Sequence, residues 1–241
     1  MTFWGHLEEL RKVILRILAA ITLAMAFFFC FKDFVFGRII LAPLSEDFFL
    51  YRAAHIEVRE ISLINTELAA QFLVHVKISF YMSAVFCTPY ILYQLWGFVR
   101  PALYTEERKA VRGAFATASL LFYAGAFTGY ALVFPLTLMF LGTYHVSPDI
   151  PNMISLTSYI GMFIRLVLVM GVVFEMPALV TVLSRIGLVD RKMMKKYRKH
   201  AAVGLLFLSA VITPSGDAFT MVVVALPLYL LYELSILLCK K

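Results

Sequence analysis

Residues 201–238 read AAVGLLFLSAVI, then TPSGD, then AFTMVVVALPLYLLYELSILL. Two apolar runs, Ala201–Ile212 and Ala218–Leu238, flank the turn Thr213-Pro214-Ser215-Gly216-Asp217. A hydrocarbon layer of about 30 Å needs about 20 apolar residues in a helix. The second run is long enough, whereas the first rises only about 18 Å at 1.5 Å per residue. It still reads as a span. The turn leads straight into another apolar run, the basic residues before it can carry the helix into the headgroups, and a bilayer thins around a short helix. Working outward, four more runs qualify: Leu156–Leu183 with Pro177, Gly113–Leu141 with Pro135, Phe72–Val99 with Pro89, and Val13–Phe31. Pro227 lies inside the last run. The expected fold is all-α: a polytopic membrane protein of six transmembrane helices in one domain over residues 1–241. The spans are about 13–31, 72–99, 113–141, 156–183, 201–212 and 218–238.

Composition agrees. Apolar residues make up 62% of the chain and charged residues 15%, against about 45–50% and about 25% in soluble domains. One soluble core cannot absorb that excess. The net charge of +7 does not imply nucleic acid, because no basic stripe with stacking aromatics accompanies it. Cys30, Cys87 and Cys239 lack metal-ligand spacing and are expected to be buried apolar residues. No cofactor or metal is implied. Val13–Phe31 is expected to be a retained span, since no small-residue cleavage site follows it.

Lysine and arginine in the loops set the orientation. Sixteen of them lie in the N-terminal segment, the loop after the second span, the loop after the fourth and the C-terminus; four lie in the first loop, beside six acids. Both termini are therefore expected inside. The first outside loop, Lys32–Gln71, is the only long one, with Pro43 and an alternating stretch Ile56–Ile61. It is expected to form a small ordered cap, with Thr66 as N-cap of the second long helix.

Ahead of the first span, Phe3, Leu7, Leu10, Ile14 and Ile17 form an apolar stripe, with His6, Glu9 and Arg16 on another face. Glu8 has Arg11 and Lys12 at helical offsets, whereas Glu9 has only Lys12, at the weaker-placed i+3. Glu9 is the less neutralised of the two. In the next inside loop Glu106 has Lys109 at i+3, and on a helix Glu107 would face Ala110 and Val111. Two underpaired carboxylates near the membrane suit a cationic ligand; a solvated interfacial face and favourable placement at a helix N-terminus are the plainer alternatives. His75, Lys77, Arg165 and Glu233 lie near span ends and can snorkel. Glu175 lies deep in the fourth span, two residues before Pro177. A carboxylate there costs at least ~2.5–3.5 kcal/mol, which points to a polar contact inside the membrane or to a protonated structural residue. Nothing supports an enzyme: no Gly-x-Ser-x-Gly, His-Glu-x-x-His or phosphate loop is present. A proton-coupled transporter built on Glu175 would need further polar groups at the midplane.

His6-Leu7-Glu8-Glu9-Leu10-Arg11 resembles the N-terminal signature of the TatC family, the receptor subunits of the twin-arginine protein translocase. The resemblance continues through Ala42-Pro43-Leu44, Pro89 to Phe98, Pro101 to Tyr104 with Glu107-Arg108, Phe174-Glu175-Met176-Pro177, Thr213-Pro214 with Asp217, Pro227, and Tyr232-Glu233. It covers essentially the whole chain. It implies a multi-pass protein of a prokaryotic inner membrane that binds twin-arginine signal peptides of folded cargo. It further implies assembly with TatA/TatB-type single-span partners, self-association in a receptor complex, and export driven by the proton-motive force. By the same resemblance, Glu9, Glu107, Arg11 and Phe98 belong to the signal-peptide site, and Pro43 and Asp217 to outside positions that matter for assembly or cap integrity; Glu175, by its depth beside Pro177, is expected to be an intramembrane contact for a partner helix or for water in a thinned bilayer. A guanidinium fork matches a carboxylate bidentately and lysine does not.

Overall fold

The computed structural model describes residues 3–239 except 56–61, 101–104, 148, 150–151 and 214–215, and only the backbone of residues 3, 105–112, 114 and 116. Helix α1 runs over Phe3–Cys30; α2 (Lys32–Phe34), a π-helical turn (Val35–Ile40), a 3-10 turn (Ala42–Leu44) and α3 (Phe49–Ala54) follow. The bundle continues with α4 (Ala70–Phe86), α5 (Thr88–Val99), α6 (Thr105–Thr128), a second π segment (Gly129–Val133) and α7 (Phe134–Thr143). It ends with α8 (Leu156–Val173), α9 (Met176–Arg185), α10 (Arg191–Lys196), α11 (Arg198–Ile212) and α12 (Ala218–Leu238). Two short strands, β1 (Leu63–Ile64) and β2 (Ile154–Ser155), pair in parallel.

The prolines shape the long elements. Proline has no N–H for the carbonyl four residues back and crowds it. At Pro89 the helix bends by 56° between α4 and α5, and at Pro177 it breaks at Phe174-Glu175 between α8 and α9. Before Pro135 the chain widens into the π segment Gly129–Val133. Among the described residues four helices are long and apolar enough to cross a membrane, or five when the bent α4–α5 pair counts as one. α11 has 15 residues and stays short of that length, although the basic residues before Ala201 do extend it as expected.

The closest packing lies between α6 with its π extension and α8. A Cβ added at Gly125 would lie 2.5 Å from the Met170 carbonyl oxygen and 2.6 Å from Phe174 Cβ, and one at Gly129 would lie 3.0 Å from the Leu166 carbonyl oxygen. Small residues four apart let two backbones approach in this way. Around the contact Phe134, Leu138, Tyr159, Leu166, Met170 and Leu228 are buried. Leu23, Leu120, Phe207 and Leu237 are among the large apolar side chains left exposed, as suits a surface facing lipid.

At the end of the bundle away from the chain termini, the connection after α1 is latched by three phenols. Tyr51 donates to the Pro43 carbonyl at 3.0 Å, Tyr130 to Ile39 at 3.0 Å, and Tyr159 to Ile40 at 2.6 Å. Burial pushes the Tyr51 hydroxyl up to about 12, so it stays a donor at neutral pH. Pro43 is itself buried. Asp217 caps α12, accepting from the Thr220 N–H at 2.8 Å and from the Thr220 hydroxyl. Pro43 thus takes part in the latch of the connection, and Asp217 caps the start of α12.

Some expectations need correction. α4 begins at Ala70 with no side-chain cap; the backbone turn from Ala70 N–H to the Glu67 carbonyl, 3.2 Å, replaces a Thr66 cap. The apolar stripe of α1 is divided: Leu7 and Ile14 are exposed, Leu10 and Ile17 are half-buried, and Val13, outside the stripe, is buried. Lipid is as apolar as leucine, so an apolar stripe is not driven onto protein. Cys30 is exposed, unlike Cys87 and Cys239, for the same reason. His75 does not reach outward; its ring stacks on Phe29 with centroids 4.0 Å apart. Glu233 is held by Arg198 at 2.6 Å. The stretch Ile56–Ile61 lies outside the described residues.

Candidate functional site

The amino-terminal turns of α1 are positioned by an aromatic contact. The His6 ring lies flat on Phe98 near the end of α5, with centroids 4.3 Å apart and planes 21° apart. One turn further along the same face is Glu9, half-buried. The other member of the doublet differs: Glu8 is exposed and pairs with Lys12 at 3.1 Å. Among the described residues Glu9 forms no ion pair. Its carboxylate is thus partly withdrawn from water beside an aromatic wall, and a cation there would gain charge-assisted hydrogen bonds.

Glu107 is the third residue of α6, within its first turn; its side chain and that of Glu106 lie outside the described residues. Arg11 is exposed and, 200° around the helix from Val13, points away from the Glu9 face. The structure thus stacks Phe98 on His6, one helical turn from Glu9, and leaves Arg11 on another face. His6 was not singled out as a site residue. Its signal was available as i and i+3 spacing to Glu9, but its partner lies in a distant segment.

Glu175 occupies the break between α8 and α9, half-buried, with Oε1 buried and lacking a hydrogen-bond partner among the described residues. It lines an apolar pocket of about 250 Å³ together with Val85, Thr88, Leu92, Phe122 and Val172. The pocket sits in the angle of the α4–α5 bend. Its lining does not include His6 or Phe98, and Glu175 is the one acid in an otherwise largely apolar wall. Among the described residues no cluster of metal-ligating side chains is found.

These features define a polytopic helical membrane protein, with a carboxylate at one end of the bundle, an acid within its walls and a latched connection at the other end. A family model described as Sec-independent protein translocase protein (TatC) matches residues 5–227, and the chain belongs to the TatC family. Curated relatives agree. The TatC protein of Blattabacterium sp. subsp. Periplaneta americana is 34% identical over 98% of this chain and 94% of its own length. TatCy of Bacillus subtilis is 32% identical over 100% and 89%, and TatC of Helicobacter pylori strain 26695 is 36% identical over 98% and 86%. A crystal structure of the twin arginine translocase receptor TatC superposes with a TM-score of 0.77 at 32% identity, covering 97% of both chains. A second, of the same receptor in DDM, gives 0.80 at 32% identity over 98% of this chain and 100% of that one. The chain is a multi-pass inner-membrane component of the Tat protein translocase, a transport protein and not an enzyme.

Proposed function

We propose that the chain is the receptor subunit of the translocase, binding the paired arginines of a signal peptide between Glu9 and Glu107 on the cytoplasmic side. The observation that carries this is the Glu9 carboxylate: half-buried, unpaired among the described residues, and one turn from the His6–Phe98 stack. Phe98 closes the apolar side of the site, and Arg11, exposed on the other face, acts outside it. Six spans over one domain put both termini inside, with α11 as a short fifth crossing. Pro43 and Asp217 keep the outside cap and the α11–α12 turn intact for assembly, self-association included. The test is titration of a labelled twin-arginine peptide against the detergent-solubilised protein. Saturable binding that is lost when both arginines become lysine is expected; binding indifferent to that change would exclude the site. Orientation is tested separately with single cysteines in a cysteine-free background. Outside-only labelling near Arg191 would invert the topology.

Glu175 serves a later step: its unpaired oxygen in the apolar pocket is the contact for a polar group of a TatA/TatB-type single-span helix. Assembly with such a helix precedes transport driven by the proton-motive force. Glu175→Ala should leave peptide affinity within about twofold while abolishing most transport, since a buried polar contact is worth roughly 1–3 kcal/mol. Vesicle import assays measure the second and peptide titration the first. Loss of peptide binding by a folded variant would sink this division of labour.

A further inference from the structure

Past α9 the chain turns through Gly187, at φ 79°, and then places six cations in nine residues: Arg191, Lys192, Lys195, Lys196, Arg198 and Lys199. Two acids lie close by, and both are engaged. Asp190 caps α10, accepting from the Met193 N–H at 2.6 Å, and Glu233 holds Arg198 at 2.6 Å. α10 is not free to roll. Met194 is buried against Tyr232, Ile236 and Cys239, and the Tyr232 hydroxyl donates to the Met194 carbonyl at 2.8 Å. With Met194 turned inward, Lys192, Lys195, Lys196 and Lys199 are left exposed. Arg191 differs from them. It is half-buried, and its Nε is buried with no hydrogen-bond partner among the described residues. The planar guanidinium fork matches phosphate oxygens bidentately.

Directly after this platform comes the short α11, whose 15 residues rise about 22 Å against a hydrocarbon layer of about 30 Å. A bilayer thins around such a helix, which draws headgroups toward the cations at its end. Exposed Tyr197 lies within the platform and exposed Leu188 just before it, as suits the interface between water and lipid. We propose that Arg191, Lys192, Lys195, Lys196 and Lys199 form a binding site for the phosphate groups of anionic phospholipids, which fastens α10 to the membrane surface and sets the depth of α11. A zwitterionic lipid carries its own cation beside the phosphate and competes poorly for such a site.

The test uses the full-length protein in detergent, titrated with phosphatidylglycerol bearing a fluorescent acyl chain. Saturable binding at least tenfold tighter than that of the phosphatidylcholine analogue is expected. Each basic residue near an anionic surface is worth roughly fivefold in affinity, so Arg191→Gln with Lys195→Gln should weaken phosphatidylglycerol about 25-fold and leave phosphatidylcholine unchanged. Lys32→Gln with Arg38→Gln removes the same charge elsewhere and should change neither. Equal losses in the two double variants would reduce the site to net charge and overturn it, as would a wild type that does not distinguish the two lipids. Competition by glycerol phosphate at lipid-like concentrations would overturn the lipid assignment in favour of a soluble anion. Capture of acidic soluble protein with no preference between the lipids would do so in favour of a protein partner. If the Arg191 variant does not fold, Lys192→Gln with Lys196→Gln, both at exposed positions, carries the same expected loss of about 25-fold.

Discussion

Glu9→Gln and Glu107→Gln are each expected to weaken binding of a twin-arginine peptide roughly tenfold or more, whereas Glu8→Gln and Glu106→Gln change it little. A hydrogen bond to a charged group contributes about 1.5–3 kcal/mol, and every ~1.4 kcal/mol is a factor of ten. The amide keeps the shape of the carboxylate and one acceptor but loses the charge and half of the bidentate fit. Glu8 supplies the internal contrast: it sits beside Glu9, carries the same charge and is already paired with Lys12 at 3.1 Å. His6→Ala should act in the same direction as Glu9→Gln, because the stack on Phe98 aims this turn of α1, while His6→Phe should restore binding. Peptide titration against the solubilised variants measures all of these. Equal losses from all four glutamates would mean a diffuse negative patch, and the two-residue site would have to be given up.

Gly125→Val should prevent the chain from accumulating in folded form. Its Cβ would stand 2.5 Å from a backbone oxygen of α8, an obstacle that cannot rotate away as a side chain can. Overpacking in a tight core costs about 1–3 kcal/mol even where side chains yield, and here α6 and α8 would have to separate. Gly125→Ala, with one methyl group, should fold with reduced stability. Gly161→Ala is the control, because a Cβ at Gly161 meets nothing within 4 Å. Elution profile and thermal unfolding in detergent report the outcome. A Gly125→Val protein as stable as wild type would show that the α6–α8 approach is looser than described.

Much of this architecture is readable in the chain because membrane spans announce themselves by composition. The long apolar runs lie in helices, although α1 and α6 begin well ahead of Val13 and Gly113, and Pro89 and Pro177 mark where helices bend or break. The Glu8–Lys12 pair followed from i+4 spacing alone. The packed face of α1 did not, because lipid removes the penalty that makes an amphipathic stripe informative in water. Gly125 and Gly129 carry a visible spacing, yet nothing local says that α8 is the helix they admit. The His6–Phe98 stack joins distant segments and leaves no periodic trace, and two residues per strand are too few for β1 and β2 to show alternation.

The phenol latch also imposes a schedule on biogenesis. The Ile40 carbonyl is matched by a tyrosine 119 residues further along, and β1 finds its only described strand partner at Ile154–Ser155. At about 5–20 residues per second that interval of synthesis lasts roughly 6–24 s. Until the start of α8 has been made, the connection between α1 and α4 has lost none of its chain entropy to these contacts. A chain terminated before Ile154 therefore holds it only through Tyr51 and Tyr130 and lacks the Tyr159 bond and the strand pairing, however well its first three apolar segments have inserted. Closure of the latch is a record, written in hydrogen bonds, that the fourth segment has arrived.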